Sequence, residues 1–120
     1  MLSEKDERWN RFILDVCERD AFTLSDVQRK AVLCFWYDAE MNSGGFSGYL
    51  DCYPDTDYKE LESALREIAN DDFADNLCKA LYEGEEDGWQ ETDMEYYKFE
   101  PSLTEILQDY VEANKDEIFL

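Results

Sequence analysis

Residues 38–45 read DAEMNSGG, from Asp38 to Gly45. Three local structures place two glycines behind such a run: a phosphate loop, a nucleophile turn and a helix stop. The residues before it decide among them. Ser25 is followed by Gln28 at the spacing of a capping box. Val27, Ala31, Cys34, Phe35 and Asp38 then trace one stripe at helical period. Val32, Leu33, Trp36 and Tyr37 make that helix apolar nearly all round, which predicts a place at the centre of a bundle. A helix meeting two glycines stops, because Gly44 or Gly45 takes the left-handed conformation without a Cβ clash. Glu40 and Asn42 have the side chains to serve the backbone N–H groups of such a turn, with Phe46 opening the next segment.

The other two readings fail on chemistry. A phosphate loop follows a strand and carries a lysine, whereas here Asp38, Glu40 and Asp51 would repel the anion. A nucleophile elbow needs Gly-x-Ser-x-Gly, but Gly48 follows Ser47 directly, and the chain has no His to act as base. The same lack removes a Cys–His pair. Carboxylate-pair catalysis wants one acid in a dry pocket; Glu40 is the candidate, and its structural role at the turn is the stronger reading.

Outward from the turn, period-3.6 patterning dominates and strand alternation is scarce. Trp9, Phe12, Ile13, Val16 and Cys17 predict a helix over 4–19, capped by Ser3. Phe46 and Tyr49 suit a short helix over 46–52, stopped by Pro54. Tyr58, Leu61, Leu65 and Ile68 predict one over 58–69, and Phe73, Leu77, Cys78 and Leu81 one over 72–83 that Gly84 ends. Residues 84–101 show no clean period and read as one long ordered loop, with a short turn near Met94–Tyr97. Ser102 and Glu105 give another capping box, and Leu103, Ile106, Leu107, Tyr110 and Val111 a last helix to 116. The expectation is all-α: a single domain over 1–120, built as a compact bundle of five to six helices.

Charge is the extreme property. The 120 residues carry 31 Asp and Glu against 11 Lys and Arg, a formal −20. Such a field repels nucleic acid and anionic membranes, so neither is an expected direct partner, and it attracts basic proteins. No apolar run is long enough to span a bilayer, and the acidic start lacks the basic and apolar regions of a secretory signal. The expected location is the cytoplasm, with free thiols at Cys17, Cys34, Cys52 and Cys78. No metal or cofactor is expected: Glu83, Glu85, Asp87 and Gly88 resemble half an EF-hand loop, but Met94 stands where Glu is required. Zinc would lack histidine and clustered cysteine.

Three acidic rows are the candidate binding residues. They are Glu60, Glu67 and Asp71; Glu83, Glu85, Glu86 and Asp87; and Glu105, Asp109, Glu112 and Asp116, the last set sharing one helical face. Carboxylates three or four apart on a helix lie about 5–6 Å apart, while duplex DNA carries one charge per ~1.7 Å of axis. A rigid row of acids therefore approximates a phosphate track.

The stretch from Asp38 to Tyr49 resembles the signature of a bacterial DNA-mimic protein family, in outline E-hydrophobic-x-N-G-G-F-x-Q-[YF]. The likeness continues through Leu61, Ala64, Leu65 and Ile68, and covers about residues 26–81. Ser43 stands where Asn is usual and Gly48 where Gln is usual. The resemblance implies an all-helical protein with no known catalysis, whose characterised example binds a helix-turn-helix transcription factor and keeps it from its operator. It also implies that the turn around Glu40, Asn42 and Gly45 specifies the fold. The expected function is non-catalytic: binding and occluding a basic DNA- or RNA-binding protein, transcription factor or nuclease-like, by mimicking DNA charge. The alternative is an immunity-type inhibitor that blocks a toxin or nuclease directly. Whether the chain forms a homodimer stays open.

Overall fold

Five of the helices begin where the side chain of the preceding residue satisfies a free N–H group of the first turn. The computed structural model describes residues 2–120. Ser3 accepts from the Asp6 N–H and opens α1 (Glu4–Leu14). Ser25 and Gln28 form a reciprocal capping box for α2 (Asp26–Met41). The α3 helix (Gly45–Cys52) comes after the glycine turn. Asp57 accepts from the Lys59 and Glu60 N–H groups to start α4 (Tyr58–Ile68), and Asn70 accepts from Phe73 to start α5 (Asp71–Glu83). Then come α6 (Gln90–Lys98), α7 (Leu103–Ala113), opened by the Ser102–Glu105 box, and α8 (Lys115–Ile118). Short 3-10 segments lie at Val16–Glu18, Ala21–Thr23 and Gly84–Asp87.

Among the described residues the fold is all-helical and compact, with eight α-helices, more than the five to six expected. Two differences account for the count. The expected loop over 84–101 contains α6, which buries only Thr92 and Tyr96 and so lacks an apolar period. The last helix stops at Ala113, not 116: the Asn114 side chain donates to the Tyr110 carbonyl at 2.9 Å, and α8 then turns Ile118 into the core. The first helix also ends early, at Leu14; Val16 and Cys17 still reach the interior from the adjoining 3-10 segment.

The central helix is α2, which packs against α3, α4, α7 and α8. One part of the core gathers Tyr37, Met41, Phe46, Leu61, Leu65, Phe73, Leu77 and Leu107. Another gathers Phe12, Val16, Ala31, Val111 and Ile118, and Trp9, Phe35 and Tyr110 touch both. All four cysteines are free; Cys17 and Cys34 are buried, and burial pushes the Cys17 thiol up to about 12. No helix among the described residues is long and apolar enough to cross a membrane.

Candidate partner-binding face

The corner between α5 and α6 is built around a glycine and a tryptophan. Leu77 and Ala80 hold α5 against the core. Gly84 continues it in right-handed helical geometry (φ −67°), so its value is not a left-handed stop. A Cβ on Gly84 would lie 2.2 Å from Cδ1 of Trp89, so only glycine admits the indole. The chain reverses through two left-handed residues, Gly88 (φ 65°) and Trp89 (φ 64°). Trp89 is held there because its backbone N–H donates to the Gly84 carbonyl at 2.7 Å and its indole N–H to the Ala80 carbonyl at 3.0 Å. Asp87 then accepts from the Glu91 N–H at 3.0 Å, satisfying the first turn of α6.

This corner turns Glu83, Glu85, Glu86 and Asp87 into solvent, and among the described residues none of the four lies in an ion pair. Glu83, Glu86, Asp87 and Glu91 border a shallow cavity of about 320 Å³, with Lys79 at its edge bound to Glu91 at 2.6 Å. Exposed apolar side chains lie on the same two helices: Tyr82 (87% exposed), Met94 and Tyr97 (56%). Residues 81–105 hold nine acids and one base, a formal −8.

The inner side of α6 is fixed by two carboxylates. Asp38 of α2 is 5% exposed and accepts hydrogen bonds from the hydroxyls of Tyr96 and Thr104 and, at 3.0 Å, from the Asn42 amide. It thereby ties α2 to α6 and α7. Burial, with the Asp38 carboxylate alongside, raises the Tyr96 phenol far above its ordinary value. Asp93 of α6 accepts from the Phe46 N–H at 3.1 Å, so a residue 47 positions later caps α3. Burial raises the Asp93 carboxyl above its ordinary range, against the lowering effect of that backbone bond. Sequence reasoning did not give Asp38 or Asp93 a role. The signal for Asp38 was there: an acid on the apolar stripe of the most buried helix needs donors.

At the glycine turn, the Glu40 contribution comes from its backbone: its carbonyl accepts from Ser43 and Gly44 at 3.1 and 2.9 Å. The Asn42 side chain reaches back to Asp38. Gly44 (φ −107°) caps α3, and Gly45, at φ 68°, is the left-handed residue. A Cβ on Gly45 would also meet Asp93 Oδ2 at 2.3 Å. Gly45→Ala is therefore expected to lower folding stability by about 1–2 kcal/mol from backbone strain, read as a lower urea midpoint. Displacing the Asp93 carboxylate, which caps α3 through the Phe46 N–H, adds to that loss.

The remaining candidate acids occupy a different setting. Glu60 pairs with Arg29, Glu67 with Lys30 at 2.7 Å, and Asp71 with Arg66 at 2.9 Å. Glu112 pairs with Arg8, whose Nε lies 2.7 Å away, and Asp109 with Lys5. The Arg8 contact holds the Glu112 carboxyl below its ordinary value. These pairs bridge α2 to α4, α4 to α5 and α1 to α7. Glu105 is engaged in its capping box, and Asp116 lies on α8, off the α7 face that carries Glu105, Asp109 and Glu112. The expected four-residue row on one helix is thus three residues, two of them neutralised at short range.

No curated protein and no solved structure matches the chain. The sequence model of the DMP19-like protein family matches residues 22–114, from the second 3-10 segment to the end of α7. With that stretch covering most of its length, the chain belongs to the DMP19-like family, a family of DNA-mimic proteins.

Proposed function

We propose that the chain is a non-catalytic inhibitor acting in the cytoplasm, which docks on the nucleic-acid-binding groove of a basic protein and occludes it by presenting carboxylates in place of phosphates. The observation that carries this reading is the run Glu83, Glu85, Glu86 and Asp87, in no ion pair among the described residues, on a hydrogen-bonded corner of a DMP19-like protein. Acids paired one-to-one with a base, as Glu60, Glu67 and Asp109 are, offer a groove little net field, whereas these four offer all of theirs. Tyr82, Met94 and Tyr97 supply the anchoring side chains that interfaces favour. Asp38 supports the non-catalytic reading, since the three donors that engage it tie α2 to α6 and α7. Those exposed anchors also favour the second reading, an immunity-type protein that plugs a toxin by shape; salt separates the two, because charge mimicry weakens steeply as salt rises.

The test starts with capture of the partner from native lysate, elution by rising salt and identification. Duplex DNA is then competed against the chain for that partner. The combined change Glu83→Gln, Glu85→Gln, Glu86→Gln and Asp87→Asn is expected to weaken binding on the order of 100-fold. Glu67→Gln with Asp109→Asn, whose charges Lys30 and Lys5 already offset, should stay within about threefold. A partner that binds equally at low and high salt, or that holds DNA and this chain together, overturns the reading.

A further inference from the structure

A groove opens where the second 3-10 segment and α2 face the chain between α3 and α4, and no residue of 83–98 lines it. Its volume is about 310 Å³, at the low end for ligand pockets and enough for one or two side chains, not a helix. The walls are apolar and aromatic, with Leu24, Leu33, Trp36 and Tyr53. The rim is acidic. Asp55 is exposed and in no ion pair among the described residues, and Asp57 uses one carboxylate oxygen, Oδ1, as the α4 cap. The only base in the lining, Arg29, is held by Glu60 through two contacts, one of them 3.0 Å, and does not cancel Asp55. Apolar aromatic walls under a carboxylate rim match a cation on an aliphatic stem. Guanidinium matches best, because it stacks on aromatic faces and binds carboxylate in a two-pronged fork.

An exposed apolar side chain adjoins the groove lining along the chain. Ala21 lines its mouth, and the next residue, Phe22, is 86% exposed. A free small cation would leave that ring in water, whereas a polypeptide flanking the cation would cover it. We propose that this groove receives an arginine side chain presented by a protein partner, its stem along Leu33 and Trp36, its guanidinium at Asp55, and its neighbouring residues on Phe22. This is a second recognition site, independent of the acidic corner.

The test is amide and indole NMR on the full chain at ~150 mM salt, where diffuse attraction is screened. The probes are the capped tripeptide Leu-Arg-Leu, its Leu-Gln-Leu counterpart, and butylguanidine. Saturable shifts at Leu33, Trp36 and Tyr53 are expected with the arginine peptide, and binding at least about tenfold weaker with the other two. Ala21→Arg and Asp55→Lys change exposed residues and should each abolish the shifts while leaving the spectrum otherwise native. Equal binding of the arginine and glutamine peptides overturns the proposal, as does equal binding by butylguanidine, which would mark a small-cation pocket. Shifts confined to Glu83–Asp87, or retained in Asp55→Lys, overturn it too.

Discussion

Asp38→Ala is expected to lower folding stability by about 2–4 kcal/mol, a large share of what a domain of this size possesses. The loss comes from the donors left behind. The Tyr96 hydroxyl sits on a residue only 4% exposed and would have no acceptor, and the Thr104 hydroxyl and Asn42 amide lose theirs. Each buried group left without a partner costs roughly 1–3 kcal/mol, and those nearest water cost least. Asp38→Asn should cost less than the alanine change, since its carbonyl still accepts and a hydroxyl can rotate to accept from its amide. Urea unfolding of the two variants checks this, the ordering appearing as a shift of midpoint at constant slope. An alanine variant as stable as the parent would mean that Asp38 does not tie the three helices together.

Gly84→Ala should have the second large effect, one that reaches both stability and binding. The added methyl would meet the Trp89 ring at 2.2 Å. Phe46 lies against that ring, with centroids 6.0 Å apart, and two hydrogen bonds pin the residue, so the indole has little room to retreat. Overpacking of this kind costs about 1–3 kcal/mol. The relief available is to shift residues 84–89, which carry Glu85, Glu86 and Asp87. Binding to the captured partner should therefore fall by about tenfold or more even under conditions where the variant is fully folded. Trp89→Ala separates the causes: it removes the clash and the anchor together, and combined with Gly84→Ala it should add almost no further loss. Additive losses in that double variant would mean the two residues act separately.

The sequence is most legible where one side chain decides one event. Ser3, Ser25, Asp57, Asn70 and Ser102 are all residue types that cap helices, and each accepts a first-turn N–H in the structure. The apolar stripes of α2, α4 and α5 place those helices to within a residue or two. The region 84–101 is opaque because the contacts that order it are not periodic. An indole packed on a glycine, a carboxylate reaching the start of α3 and a polar Thr92 facing inward leave no 3.6-residue signature. Of the candidate site, the acid count is visible in the residues themselves. Which acids stand beside a base is not: Lys5 and Asp109 are 104 residues apart, and Arg29 and Glu60 are 31 apart. Only the packing of α1 on α7 and of α2 on α4 brings them together.

Trp89 also gives the molecule an optical handle. Its half-buried indole donates to the Ala80 carbonyl and adjoins the very residues that form the exposed acidic corner. Trp9 and Trp36 lie on α1 and α2, so a variant keeping only Trp89 would emit from this one location. Loosening of the corner would wet the ring and move its emission to longer wavelength. Intrinsic fluorescence can then track a complex forming, or the corner melting ahead of the rest of the chain, without any attached dye.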